Sequence, residues 1–333
     1  MRRLHAAVLT VVASLALAAC GEKSEDLSAS PEPTKIDLAL DFYVNPDHAG
    51  IYVALERGYF ERAGLDVQPR VPSDPSAPIR EVAAGRAELA VTYEPEVLLA
   101  NEQGLDVIAI TALVDQPLTS LISLPAAAIA EPADLRGKTV ATAGIPYQSD
   151  YLATIAAGAG LQTDDVREVN VGFNLLPALL GGQADAILGG FRNVEGVDLA
   201  ERGENPAVVP VDELGVPTYD ELVLVARRSE LSDQEEELRL FLSALAKGTA
   251  DAVADPAAAA AAILEAGQGL DPDLTRAEIT ATLPLLAKSK KERFGELNAE
   301  EWELFAAWMA DNGLISGPPE PDDVLTNELL PPD

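Results

Sequence analysis

The stretch LALDFYVNPDHAGIYVALERGYF, residues 38–60, constrains this chain most. Ile36, Leu38, Leu40 and Phe42 alternate with Asp37, Ala39, Asp41 and Tyr43, the period of a strand with one buried face. Then the period changes. Asn45 suits a helix cap, Pro46 the first helical position and Asp47 the positive end of the dipole, and Ile51 and Leu55 follow at helical spacing. A strand that hands over to a helix through two aromatics, an amide and a histidine sets polar and ring-bearing groups at the C-terminal end of a sheet. Ligands of open α/β sheets bind there.

The alternation then repeats. Residues 64–67 read as a strand, 79–84 as a helix and 89–93 as a strand running into Glu94-Pro95 and a further helix, and VIAITAL from Val107 is a buried strand. It starts afresh after Thr119–Leu124, with strands at 139–144, 166–171, 186–190, 208–211 and 222–226 and helices from Asp150 to Gly160 and over 175–180. Repeated strand–helix units predict an α/β protein with mostly parallel sheets and right-handed crossovers. The remainder is helical, with caps expected from Ser232 with Glu235, Asp255-Pro256, and Asn298 with Glu301. Trp302, Phe305 and Met309 share one helical face, which reads as core. At 333 residues the chain suits two domains. The expected boundaries put 35–122 and 227–333 in a first lobe and 123–226 in a second, with the C-terminal third closing over the first.

The first residues read as an export signal rather than as fold. Arg2 and Arg3 precede an apolar run from Ala6 to Leu17, and Leu17-Ala18-Ala19-Cys20 is a small-residue cleavage site ending in cysteine. Residues 1–19 are thus expected to leave as a lipoprotein signal peptide, with Cys20 lipidated and 20–34 a flexible Ser/Pro/Glu-rich tether to the membrane. Loss of Arg2 and Arg3 leaves 21 basic against 55 acidic side chains, a net −34, so nucleic acid is excluded as a partner. Cys20 is the only cysteine, and His48 the only histidine once His5 departs with the signal. Zinc sites of His and Cys, Cys–His pairs and two-histidine mechanisms fall away. No phosphate loop of G-x-x-x-x-G-K-S/T spacing is present, no G-x-G-x-x-G follows a strand, and neither a cofactor nor a metal is expected.

Candidate ligand groups cluster at strand ends. Tyr43, Tyr93 and Tyr147 stand where strands give way to helices, beside Phe42 and Phe191, and rings from two lobes can sandwich a flat ligand. Each ring could equally plug its own lobe. In Gly189-Gly190-Phe191-Arg192-Asn193-Val194-Glu195-Gly196 the glycines allow close backbone approach and Glu195 falls in a first helical turn. An acceptor-only carboxylate suits adjacent N–H donors of a ligand; a plain helix cap is the alternative.

Taken in order, DFYVNPDHAGIYVALERGYFERAGLDV, VTYEPEVLLA, VGFNLLPALLGGQADAILGGFRNVEGVDL and PTYDELVLVARR resemble the NMT1/THI5-like solute-binding proteins of ABC importers, nearest to those binding thiamine-pyrimidine precursors. The resemblance spans about residues 35–320 and implies a type II periplasmic-binding-protein fold, two α/β lobes hinged about a ligand cleft. It implies ligand contacts at Phe42, Tyr43, Asn45, His48, Tyr93, Glu94, Asn193, Glu195 and Tyr219, beside the strand-end rings Tyr147 and Phe191. The implied ligand is N-formyl-4-amino-5-aminomethyl-2-methylpyrimidine or the hydroxymethylpyrimidine, the implied partner an ABC permease, and the chain a membrane-anchored monomer outside the cytoplasm. Relatives often carry tryptophan at Phe42 and an aromatic at Arg192. Riboflavin or another flat vitamin is the rival ligand, and a ligand-sensing lipoprotein without a transporter a rival role. A related branch of pyrimidine-synthesising enzymes uses a histidine as substrate, but those carry a cysteine-rich cluster, and here no cysteine follows Cys20.

Overall fold

The computed structural model describes residues 32–286 and 293–332; the signal segment, Cys20 and nearly all of the tether lie outside them. In chain order the strands are β1 (Thr34–Ala39), β2 (Leu65–Arg70), β3 (Leu89–Thr92), β4 (Ile108–Val114), β5 (Thr119–Ser123), β6 (Thr139–Thr142), β7 (Arg167–Asn170), β8 (Ala186–Phe191), β9 (Ala207–Pro210) and β10 (Leu222–Ala226). The helices are α1 (Ala49–Glu56), α2 (Tyr59–Arg62), α3 (Pro78–Ala83), α4 (Glu94–Glu102), α5 (Pro146–Gly158), α6 (Leu175–Leu180), α7 (Glu195–Glu201), α8 (Glu235–Ala254), α9 (Pro256–Ala266), α10 (Pro272–Leu286) and α11 (Ala299–Asp311).

Two five-stranded sheets result, ordered β2-β1-β3-β10-β4 and β7-β6-β8-β5-β9. In the first, β1 runs parallel to β2 and β3, while β10 is antiparallel to β3 and β4. The second repeats the plan, with β6 parallel to β7 and β8, and β5 antiparallel to β8 and β9. Strands β3 and β10 are buried at every residue, as continuous apolar runs are when helices cover both faces of a sheet.

The chain crosses between sheets twice, through 115–118 after β4 and through 211–221 before β10. Each crossing delivers a strand from the other sheet, so β5 and β10 are the strands that run against their neighbours. The expected boundaries at 123 and 226 are corrected by one strand at each end: β5 belongs to the second sheet and β10 to the first. Pro125, which follows β5, opens only a loop turn, whereas the crossing itself carries Pro117. Glu221 ties the crossings together. Its carboxylate accepts from the Leu118 and Thr119 amides, both at 2.7 Å, from Thr119 Oγ1 at 2.9 Å and from the Tyr219 hydroxyl at 3.0 Å. Burial raises its pKa, and those donors oppose the rise.

Behind the first sheet, α8 and α9 pack on α1, where Gly248 lies so close that a Cβ there would sit 2.3 Å from the Gly50 carbonyl. Helix α11 lies against α4 with Trp302, Phe305 and Met309 buried as expected, and Trp302 Nε1 donates to Asp220 Oδ2 at 2.7 Å. Asp255 and Asn298 cap as expected, but Ser232 does not cap α8, which begins after Gln234 without a side-chain cap. Helix α5 starts at Pro146, before Asp150, because proline fits the first turn. Helix α10 was not marked from the sequence. It starts as α9 does, with an aspartate before a proline, and Asp271 Oδ1 accepts from the Asp273 and Leu274 amides at 2.9 Å. It packs on both the 3₁₀ turn Pro46–His48 and α7, thus on groups attached to both sheets.

Candidate ligand site

A cavity of about 250 Å³ opens between the sheets where strands end. Asp41, Phe42, Tyr43, Asn45 and Tyr93 line it from the first sheet, and Tyr147, Gln148, Phe173, Phe191 and Glu195 from the second. Helix α10 and the turn before it add Leu270, Asp271, Leu274, Thr275 and Glu278.

Past the end of β1 the chain builds a buried relay. Tyr93 OH donates to Asp41 Oδ2 at 3.0 Å, and Asp41 Oδ1 lies 2.7 Å from His48 Nε2. The Asn45 amide donates to His48 Nδ1 at 3.3 Å, so that nitrogen is the acceptor and Nε2 carries the proton. Asn45 also caps the 3₁₀ turn, accepting from the Asp47 amide at 2.8 Å, as its position before Pro46 foretold. These bonds hold Tyr93 and the Phe42–Asn45 loop in place.

Rings then join the two walls. Phe173, from the loop after β7, meets Phe42 edge-on at 4.7 Å and Tyr43 at 4.5 Å, while Tyr93 meets Tyr147 edge-on at 5.9 Å. Such pairs add about 0.5–1.5 kcal/mol each beyond burial. Burial holds the Tyr93 and Tyr147 hydroxyls well above their ordinary pKa, so both remain protonated donors.

Gln148, in the first turn of α5, accepts from the Ala143 amide at 2.9 Å and turns its NH₂ toward Gly189. Gly189 adopts φ +108°, and a Cβ there would stand 2.3 Å from Gln148 Nε2, so only glycine admits this wall. Beyond the glycines, Glu195 Oε2 accepts from the Phe191 amide at 2.7 Å. Burial pushes Glu195 up to about 7, against that bond, and nearby Asp198 and Asp41 push the same way. Asp47 also rises to about 7 by burial, although its bond from Asn193 Nδ2 at 2.8 Å pulls it down. Among the described residues no Lys, Arg or His lines the cavity, and no group of three His, Cys, Asp or Glu is placed to hold a metal ion.

Phe42, Tyr43, Asn45, Tyr93, Tyr147, Phe191 and Glu195 thus converge on the cavity, and four other residues singled out from the sequence stand behind its walls. His48 is fully buried in the relay. Glu94 Oε2 accepts from the Asp220 amide at 2.7 Å, tying α4 to the strand crossing. Asn193 Nδ2 bridges Asp47 Oδ1 and Thr282 Oγ1, both at 2.8 Å, a latch between groups of both lobes and α10. Tyr219 bonds Glu221 and meets Tyr151 at 5.7 Å and Phe305 at 5.0 Å. Arg192 points away, to the Pro117 carbonyl at 3.2 Å and Gln116 Oε1 at 2.9 Å. The sequence reading missed Asp41, Gln148, Phe173, Asp198, Thr275 and Glu278 as lining residues. Phe173 lay inside a quoted motif, and Gly189 hinted that a side chain presses on it.

The NMT1/THI5-like family model matches residues 45–259. A Haemophilus influenzae protein assigned to thiamine biosynthesis is 37% identical over 84% of this chain and 88% of its own length. The formylaminopyrimidine-binding protein of Halalkalibacterium halodurans is 32% identical over 95% of this chain and 96% of its own. A 4-amino-5-hydroxymethyl-2-methylpyrimidine phosphate synthase of Aspergillus parasiticus is 28% identical over 68% of each. Among solved structures, the alkanesulfonate-binding protein of Xanthomonas axonopodis pv. citri superposes with TM-score 0.70 at 15% identity, covering 90% of this chain and all of that one. The Escherichia coli periplasmic aliphatic sulphonate binding protein gives 0.67 at 16% over 91% and 95%. At such identities the likeness fixes the fold alone: two α/β lobes of the type II periplasmic-binding-protein kind. A model match over more than half of the chain, with relatives above 30% identity along most of it, places this chain in the NMT1/THI5-like family.

Proposed function

We propose that the chain is an extracytoplasmic solute-binding lipoprotein that captures a thiamine-precursor pyrimidine and delivers it to an ABC permease. The observation that carries this reading is a cavity with rings on both walls, a Glu195 oxygen placed to accept from a flat ligand and, among the described residues, no basic side chain in its lining. An aminopyrimidine presents an exocyclic amine beside a ring nitrogen, stacks on aromatic faces and carries no anionic group. The bond that Glu195 already makes to Phe191 leaves its second oxygen for such an amine. The Halalkalibacterium relative is named for a formylaminopyrimidine, which supports this ligand class; the candidates within it are N-formyl-4-amino-5-aminomethyl-2-methylpyrimidine and the hydroxymethylpyrimidine. The cavity lies just below the ~300–1,000 Å³ span common for small-molecule pockets, which favours a single ring over riboflavin.

A role as an enzyme that consumes its own histidine fits poorly with His48, which is absent from the lining of this cavity and has both ring nitrogens engaged. In this reading the lobes close about the crossings at 115–118 and 211–221, and Cys20 tethers the chain to the membrane. Mass spectrometry of the molecule released from purified protein, with calorimetry of pyrimidine, riboflavin and alkanesulfonate, tests the ligand. Recovery of a flavin or sulfonate without pyrimidine binding would overturn it. Cys20→Ser should move the exported chain from the detergent to the aqueous phase; unchanged partitioning would remove the anchor.

A further inference from the structure

Every ring in the cavity wall belongs to one of the two lobes, whereas α10 and the turn before it bring none. Rings take the faces of a flat guest, so α10 meets its rim, and there Glu278 is the side chain left to make a bond. It lies on α10 with 8% of its surface exposed, lines the cavity, and makes no hydrogen bond or ion pair among the described residues. The other lining acids are engaged. Asp41 holds His48 and Tyr93, Asp198 holds Arg202, Asp271 holds the first amides of α10, and Glu195 holds the Phe191 amide by one oxygen. The charged groups that face Glu278 are acids as well: Glu195 and Asp198 from α7, the latter paired with Arg202, and Asp47 from the 3₁₀ turn, whose His48 is spent on Asp41. Burial and then these charges raise Glu278 to about 8. Neighbouring carboxyls that would repel when both are ionised take separate states, and with Glu195 ionised to hold an amine, Glu278 keeps its proton.

We propose that Glu278 meets the ligand as a neutral acid, donates a hydrogen bond to the oxygen of the pyrimidine's 5-arm, and so selects arms that carry an oxygen acceptor. Resting on the pyrimidine reading, the assignment gives each carboxyl one part of the ligand: Glu195 takes the amine and Glu278 the arm. Amine and arm stand on adjacent ring carbons, so the groups that read them must come from adjoining walls, as α7 and α10 are. A formyl carbonyl and a hydroxymethyl oxygen both accept, and both ligands are uncharged. A bare methyl arm would leave the buried O–H of Glu278 without a partner, which is costlier than never having buried a donor there.

Calorimetry on the purified chain tests this with the N-formyl-aminomethyl and hydroxymethyl compounds beside 4-amino-2,5-dimethylpyrimidine, whose arm is a bare methyl. At about pH 6 both oxygen-bearing compounds should bind at least about tenfold tighter than the dimethyl one, and the ratio should fall at least about threefold by about pH 9 as Glu278 ionises. Taking the ratio cancels the titration of Glu195 and Asp47, which all these ligands share. Glu278→Met removes the donor at similar size and should cut the ratio to about threefold or less. Glu278→Gln supplies a donor that does not titrate, so it should restore what Glu278→Met loses and hold the ratio flat across the same pH span. Both variants remove a buried carboxyl from among acids and are expected to fold; if one does not, the pH series and the other variant decide. Equal binding of the compounds, a ratio that ignores pH, a ratio that survives Glu278→Met or one that Glu278→Gln fails to restore would overturn the donor role of Glu278 and leave the pyrimidine reading standing. Binding of none of these pyrimidines would overturn that reading, and the donor role with it.

Discussion

Glu195 keeps one oxygen on the Phe191 amide, which in the proposed reading leaves the other for the ligand, and the residue stands both at the start of α7 and in the cavity wall. Glu195→Gln keeps the shape but replaces one acceptor with a donor and removes the charge. Calorimetry should find pyrimidine affinity at least tenfold weaker, since a charge-assisted bond is worth about 1.5–3 kcal/mol. Unchanged affinity would leave Glu195 as a helix-start residue only. Its dual role could be read from the glycines before it and the helical spacing after it. The relay around His48 could not. Asp41 looked like the polar face of a strand because alternation reports which side a residue occupies, yet β1 ends at Ala39, and beyond that point the period says nothing about partners. His48, Glu94, Asn193 and Tyr219 belong to the right region of the fold, but strand ends are crowded with polar groups that serve the walls as well as the guest.

At the scale of elements, strands β3, β4 and β10 were plain from apolar runs, and α1 from the helical spacing of Ile51 and Leu55. Helix α10 escaped because its buried face carries Thr275, Glu278 and Thr282 among Ile279 and Leu283, which blurs the apolar period. A face that lines a cavity is the face least able to follow a core pattern. The crossings show the same effect. Their direction is set by Glu221, whose partners lie about a hundred residues away in Leu118 and Thr119, and no local spacing encodes that. Glu221→Ala strips two buried amides and two hydroxyls of their acceptor, so urea unfolding should show a loss of at least about 3 kcal/mol. A loss below about 1 kcal/mol would mean that water replaces the carboxylate and that the crossings do not depend on it.

For the whole molecule, two rounds of strand–helix alternation made the two-lobed α/β architecture legible, while the seam between lobes shifted by a strand because it depends on tertiary bonds. The acidic composition acts at this scale too. Asp47, Glu96 and Glu195 are pushed up to about 7 and Glu278 to about 8, chiefly by burial. In the unfolded chain such groups titrate near 4. Between about 4 and 8 the folded chain therefore binds more protons than the unfolded one, and stability falls as pH rises through that window. The carboxylates held low, Asp74, Asp134, Asp251 and Asp271, act in the opposite sense but titrate below it. Ligand-free protein should thus melt at a higher temperature near pH 6 than near pH 8, and Glu278→Gln should flatten the difference by removing the group that titrates highest. Melting that rises from pH 6 to pH 8 in the absence of ligand would show that these buried carboxylates are matched from within the protein.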